Sequence, residues 1–122
     1  MQLNLVLKLY FVLVKPWKKE DKKKQIEKGL KSIKNKSKII IAYEPVWSIG
    51  TGVIPKEETL IQAISFIKSR FIKKYPKILY GGSVNNNNSD KLKKIPNIDG
   101  FLIGGASQMP KKFIDIIKKT IN

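Results

Sequence analysis

A run of five apolar residues, Ile39-Ile40-Ile41-Ala42-Tyr43, ended by Glu44 and Pro45, most narrows what this chain can fold into. An unbroken apolar run has no polar face, which marks a strand covered on both sides. Pro45 then forces the chain out of the strand. Two further runs repeat the design: Lys77-Ile78-Leu79-Tyr80 stops at Gly81-Gly82, and Gly100-Phe101-Leu102-Ile103 stops at Gly104-Gly105. The segments between them have helical period. Gln25 to Ile33 carries Ile26, Leu30 and Ile33 on one face. Pro55 suits the first turn of a helix, with Glu57 and Glu58 near its positive end and Leu60, Ile64, Ile67 and Phe71 as its stripe. Asn85 to Asp90 can cap a short helix at Lys91 to Lys94, and Phe113, Ile114, Ile117 and Ile121 mark a last one. Leu3 to Val14, interrupted by Lys8, reads as an additional strand at the amino end.

Strands alternating with helices through short connections imply an α/β fold, with parallel strands and the helices outside. At 122 residues the chain is one domain at most. It has no cysteine, which excludes disulfides and thiolate metal sites, and no histidine, which removes the commonest general base and metal ligand. Catalysis by this chain rests on carboxylates, Lys, Tyr, hydroxyls or backbone groups, and neither a cofactor nor a metal is expected. The net charge of +16 suggests an anionic partner. Yet Arg70 is the one arginine, and arginine is the usual residue for bidentate recognition of phosphates and bases. Scattered lysines amid abundant Ile and Asn read as solvated faces encoded by A/T-rich codons, so no nucleic-acid partner is expected. Leu3 to Val14 is too short to span a membrane, and no small-residue cleavage site follows it. The expected setting is the cytoplasm, without a membrane partner.

In α/β folds chemistry gathers at the carboxyl ends of parallel strands. Glu44 stands at such an end, before an apolar loop; partial desolvation there raises a carboxyl pKa and makes a useful base. A loop glutamate in an ordinary salt bridge is the plainer reading of the same position. Gly81-Gly82-Ser83 and Gly104-Gly105-Ala106-Ser107 end the next two strands. Glycines let backbone N–H groups approach a ligand closely, and two such loops in succession suggest one shared anion site. Pro45-Val46-Trp47-Ser48-Ile49-Gly50-Thr51-Gly52 has an apolar middle and a glycine-rich end, as suits a lid that excludes water.

Three blocks closely resemble the triosephosphate isomerase family: residues 42–52 (AYEPVWSIGTG), 80–84 (YGGSV) and 98–107 (IDGFLIGGAS). They stand in order and cover about residues 25–122. The resemblance implies a partial (β/α)8 barrel, roughly strands five to eight with their helices. The family interconverts dihydroxyacetone phosphate and glyceraldehyde 3-phosphate through an enediolate, without a cofactor, in glycolysis and gluconeogenesis; this is the family's established chemistry. By the resemblance, Glu44 moves the proton between two substrate carbons. Pro45, Val46, Trp47, Ser48, Ile49, Gly50, Thr51, Gly52 and Val53 form the lid. Gly50, Ser83, Gly104 and Gly105 hold the substrate phosphate, and Tyr80 hydrogen-bonds the closed lid. Ser48 stands where alanine is usual, and Val53 where lysine is usual.

A typical barrel of this kind has about 250 residues, roughly twice this chain. The family's electrophilic histidine on strand four and its active-site lysine after strand one fall outside the matched blocks, as do the loops that build its homodimer. Losing one oxyanion donor costs about 10²–10³ in rate, so negligible activity is expected of the isolated chain. The alternative reading is a non-catalytic half-barrel that associates with a missing half or with itself. Residues 1–24 depart from the family pattern, which has Cys-Ile-Gly-Glu-Thr-Leu-Glu at the end of strand five. Codons for Phe11 to Lys18 shifted by two bases can encode that string. Residues 1–24 are therefore read as an out-of-frame version of strand five and its loop, still apolar enough to form a strand.

Overall fold

Four strands pair in parallel and in chain order, which fixes the side on which every helix lies. The structure is a computed structural model and describes residues 9–14, 19–34, 39–45, 51–71 and 76–122. The strands are β1 (Leu9–Val14), β2 (Ile39–Glu44), β3 (Lys77–Tyr80) and β4 (Gly100–Phe101); the helices are α1 (Lys19–Leu30), α2 (Glu57–Lys68), α3 (Ser89–Leu92) and α4 (Pro110–Ile121). A 3-10 turn, Gly105–Gln108, joins β4 to α4. The sheet order is β1-β2-β3-β4. A doubly wound sheet reverses its order at a switch point and carries helices on both faces. This order never reverses, so successive helices stack on one side, as in an arc of a barrel.

The register shows which residues face those helices. Ile41 pairs with Ile78 and Tyr43 with Tyr80. These four belong to one core with Ile26 and Leu30 of α1, Leu60, Ile64 and Ile67 of α2, Leu92 of α3 and Ile116 of α4. Burial pushes the Tyr43 hydroxyl up to about 12, helped by Tyr80, so Tyr43 stays neutral within the core. Strand geometry turns the alternate residues Ile40, Ala42, Glu44 and Leu79 to the other face, where Ile40 and Leu79 are only half-buried.

Several sequence expectations shift. The first helix begins at Lys19 rather than Gln25 and ends at Leu30; the charged run joins the helix because its lysines and glutamates are good helix formers. Ile33 lies past the end, packed against the core. Residues 9–14 of the Leu3 to Val14 run form a strand, and the remainder lies outside the described residues. Pro55 precedes α2 rather than opening it. Lys56 is the cap, still extended at φ −58°, ψ 144°. Pro55 and Leu60 occupy the two positions that pair in a hydrophobic staple, and both are buried.

The short helix spans Ser89–Leu92 rather than Lys91 to Lys94. The asparagines lock their own turn instead of capping it. Asn85 Oδ1 accepts the N–H groups of Asn87 (2.8 Å) and Asn88 (3.1 Å), while Asn88 Oδ1 accepts the N–H of Asn85 (2.9 Å). The third apolar run pairs only at Gly100 and Phe101; Leu102 adds one bond, its N–H donating to the Tyr80 carbonyl at 2.9 Å.

The last helix departs most. Ile116 is its buried residue, whereas Ile114, Ile117 and Ile121 of the expected stripe are exposed. Ile117 and Ile121 line an apolar groove of about 390 Å³ with Phe101, Ile103, Phe113 and Ile116. The helix is apolar on two flanks, and the described sheet ends at β4, so only one flank is covered.

Core position dictates mutational cost. Ile64→Ala empties a wholly buried site and is expected to lose about 2–5 kcal/mol in urea unfolding. Ile114→Ala, on the exposed flank, is expected to stay within about 0.5 kcal/mol. Equal losses would contradict this placement of the core.

Candidate active site

The carboxyl ends of β2, β3 and β4 open into one cavity of about 420 Å³. Glu44, Gly52, Ser83, Gly104 and Gly105 all line it, together with Gly81, Gly82 and Lys112. Residues 61 positions apart in sequence, Glu44 and Gly105, meet there because parallel strands point their ends the same way.

Glu44 is held by what its neighbour lacks. The register that pairs Tyr43 with Tyr80 brings Glu44 beside Gly81, whose N–H donates to the Tyr43 carbonyl at 2.9 Å. A Cβ on Gly81 would stand 2.6 Å from Glu44 Cγ and 3.0 Å from its Oε1. Only glycine leaves room for the carboxylate. Partial desolvation holds the Glu44 carboxyl above the ordinary glutamate range.

The remaining donors cluster across the cavity. Ser83 Oγ accepts the Gly52 N–H at 2.8 Å, tying the far end of the 45–53 loop to the loop after β3. Gly52 sits at φ +76°, the left-handed region that glycine reaches without strain. Asn88 Nδ2 donates to the Ser83 carbonyl at 2.8 Å and steadies the serine from behind. After β4, the Gly104 carbonyl accepts from the Ser107 N–H (2.9 Å) and Oγ (2.6 Å). The 3-10 turn then starts at Gly105, and the first N–H groups of such a turn find no carbonyl within it. A Cβ on either Gly104 or Gly105 would meet nothing within 4 Å, so their backbone faces open space. One cavity thus brings together a partly desolvated carboxylate and the backbone and hydroxyl groups of the two glycine-rich loops. No group of acidic residues that could hold a metal occurs among the described residues.

Residues 17–120 match the family model described as triosephosphate isomerase. The chain belongs to the triosephosphate isomerase family. It is similar to triosephosphate isomerase of Mycoplasma mobile, 50% identical over 100 residues that cover 82% of this chain and 41% of that protein. It is similar also to the enzyme of Thermodesulfovibrio yellowstonii, 44% identical over 102 residues covering 79% and 42%. A crystal structure of triosephosphate isomerase from Bartonella henselae superimposes with a TM-score of 0.76 at 27% identity, covering 95% of this chain and 52% of that one. The fold is thus part of a TIM barrel, and the chain spans about two fifths of the length of these relatives.

Of the residues singled out by sequence, Glu44, Gly52, Ser83, Gly104 and Gly105 share the cavity. Tyr80 does not; it is wholly buried on the helix-facing side of the sheet. Pro45 is buried at the strand exit, and Thr51 and Val53 are exposed. Val46, Trp47, Ser48, Ile49 and Gly50 lie outside the described residues, and with them most of the lid and one expected phosphate ligand. Sequence reasoning read Gly81 as a strand stop in an anion-site loop and missed its task of making room for Glu44. Its place directly after β3, in register with Glu44 directly after Tyr43, was the available signal. Lys112 had none, being one lysine in a lysine-rich chain.

A raised carboxyl pKa has a stability consequence. The folded state holds the Glu44 proton more tightly than the unfolded state, so ionisation costs stability as pH rises through the folded pKa. Glu44→Gln is therefore expected to raise the Tm at neutral pH, and the gain should vanish below the unfolded glutamate pKa of about 4.3. A gain that instead persists at low pH would contradict desolvation as the cause.

Proposed function

We propose that this chain supplies the proton-transfer and phosphate-binding half of a triosephosphate isomerase, converting dihydroxyacetone phosphate and glyceraldehyde 3-phosphate in glycolysis and gluconeogenesis. The observation that carries the reading is the shared cavity: one desolvated carboxylate, Glu44, opposite the donors of Ser83, Gly104 and Gly105. In the family's chemistry the ionised carboxylate takes the proton from the carbon beside the substrate carbonyl. The electron pair moves onto the oxygen to give the enediolate, a hydroxyl proton passes between its two oxygens, and the carboxylic acid returns the carbon-bound proton to the neighbouring carbon. A carboxylate with a raised pKa is a stronger base, and Gly81 fixes where it points. Ser83, Gly104, Gly105 and Gly50 seat the phosphate, the loop from Pro45 to Val53 covers it, and Tyr80 holds the closed loop. The developing oxyanion needs donors that this chain does not provide, since it has no histidine. We infer no turnover by the 122-residue chain alone, and a cytoplasmic site of action. Exposed Ile117 and Ile121 beside the short strand β4 favour a second reading, a half-barrel whose open flank associates with a missing half or with itself.

A barrel completed by fusing the amino-terminal part of the Mycoplasma mobile enzyme ahead of residues 25–122 tests the reading. The fusion is expected to isomerise triose phosphates, and the 122-residue chain is not. In the fusion, Glu44→Gln is expected to lower kcat by about 10²–10⁴ while phosphate binding persists. Gly81→Ala, which displaces the carboxylate without removing it, is expected to cost about 10² in kcat. Full activity of either variant would refute the assignment of Glu44.

A further inference from the structure

Two charged side chains line the cavity among the described residues, Glu44 and Lys112. The proposed substrate carries a phosphate dianion, and Glu44 must be ionised to act. A site built of Glu44 and neutral N–H and O–H donors would set two anions within one small cavity. Two like charges so placed repel each other.

Lys112 stands where it offsets this. Gly104, Gly105, Ala106 and Met109 line the cavity on the side of the loop after β4, and Lys112 follows Met109 by three residues, the spacing of one helix face. Lys112 makes no ion pair among the described residues, whereas Lys23, Lys77, Lys93 and Lys119 each pair with a carboxylate. Lys112 and its neighbour Lys111 are both exposed, but of the two only Lys112 lines the cavity. The first turn of α4 contains no acidic residue that could neutralise either lysine.

We propose that Lys112 is a further ligand of the substrate phosphate, a mobile ammonium that closes over the anion seated on the Gly104–Gly105 loop. This rests on the phosphate-site reading above and deepens it: the seat would take a phosphate monoester dianion by direct charge pairing, not by backbone donors alone. A lysine rather than an arginine suits the task, because its flexible stem lets one point charge follow the phosphate into and out of the site.

Binding of glycerol 3-phosphate to the 122-residue chain, followed by calorimetry and by amide shifts of Gly104 and Gly105, tests the proposal, with glycerol as the uncharged comparison. The unmodified chain is expected to bind glycerol 3-phosphate and not glycerol. Lys112→Gln is expected to weaken that binding about tenfold and to flatten its salt dependence. Lys112→Arg should restore both, and Lys111→Gln should leave affinity within about twofold. If Lys112→Gln binds as tightly as the unmodified chain, with the glycine shifts intact, Lys112 is no ligand and the phosphate site stands without it. If the unmodified chain does not bind glycerol 3-phosphate, or does not shift those glycines, the phosphate site and the role of Lys112 both fall.

Discussion

The parallel pairing of β2 with β3 is the constraint on which the site depends. One bond, from the Gly81 N–H to the Tyr43 carbonyl, closes the ladder at the level where the chemistry begins. Because side chains alternate, that register commits Tyr43 and Tyr80 to the core and Glu44 to the opposite face. A slip of one residue would exchange them, burying a carboxylate among Ile64 and Ile78 and turning a tyrosine into the cavity. The tyrosines therefore set where Glu44 stands, although neither lines the described cavity. Gly81 completes the arrangement by having no side chain.

The same register creates a tension. A carboxylate at the end of a buried strand is partly stripped of water, which opposes folding above its pKa. Raised basicity is what the proposed proton abstraction requires, so the destabilising effect and the proposed functional one have a single cause. The chain can hold such a group because the strands beneath it are anchored by a continuous apolar core on the helix-facing side. Among the described residues the anchoring is thinner at the β4 edge, where Phe101 is only partly buried against the core. β4 is two residues long, and α4 covers it with one flank while Ile117 and Ile121 stay exposed.

Most of the architecture was legible because it depends on local pattern. Unbroken apolar runs gave β2 and β3, and the spacing of Leu60, Ile64 and Ile67 gave the buried face of α2. Glu44, Ser83, Gly104 and Gly105 were legible as strand-end residues of unusual type. What escaped was whatever depends on neighbours distant in sequence. The exposed stripe of α4 looks like a core stripe until the sheet is seen to end beside it. Asn88 looks like a helix cap until its side chain is found holding Asn85 and Ser83. The staple position of Pro55 is likewise invisible without knowing that Lys56 stays extended.

On the proposed reading, the distribution of groups gives the reason a half-site of this kind would not be half a catalyst. Proton abstraction beside a carbonyl needs a base and, at the same moment, donors for the oxygen that becomes negative. These act together on one transition state, so their effects multiply rather than add. The described cavity gathers Glu44 and the two glycine-rich loops at the ends of three adjacent strands, with Lys112 as its one lining cation. Donors for the carbonyl oxygen must approach from the inner face of the sheet, where Ile40 and Leu79 are half-buried and present no polar group. A surface of that kind is suited to being covered by further strands. Covering it would also strip water from Glu44, so on the proposed reading completing the barrel and activating the base would be the same physical event.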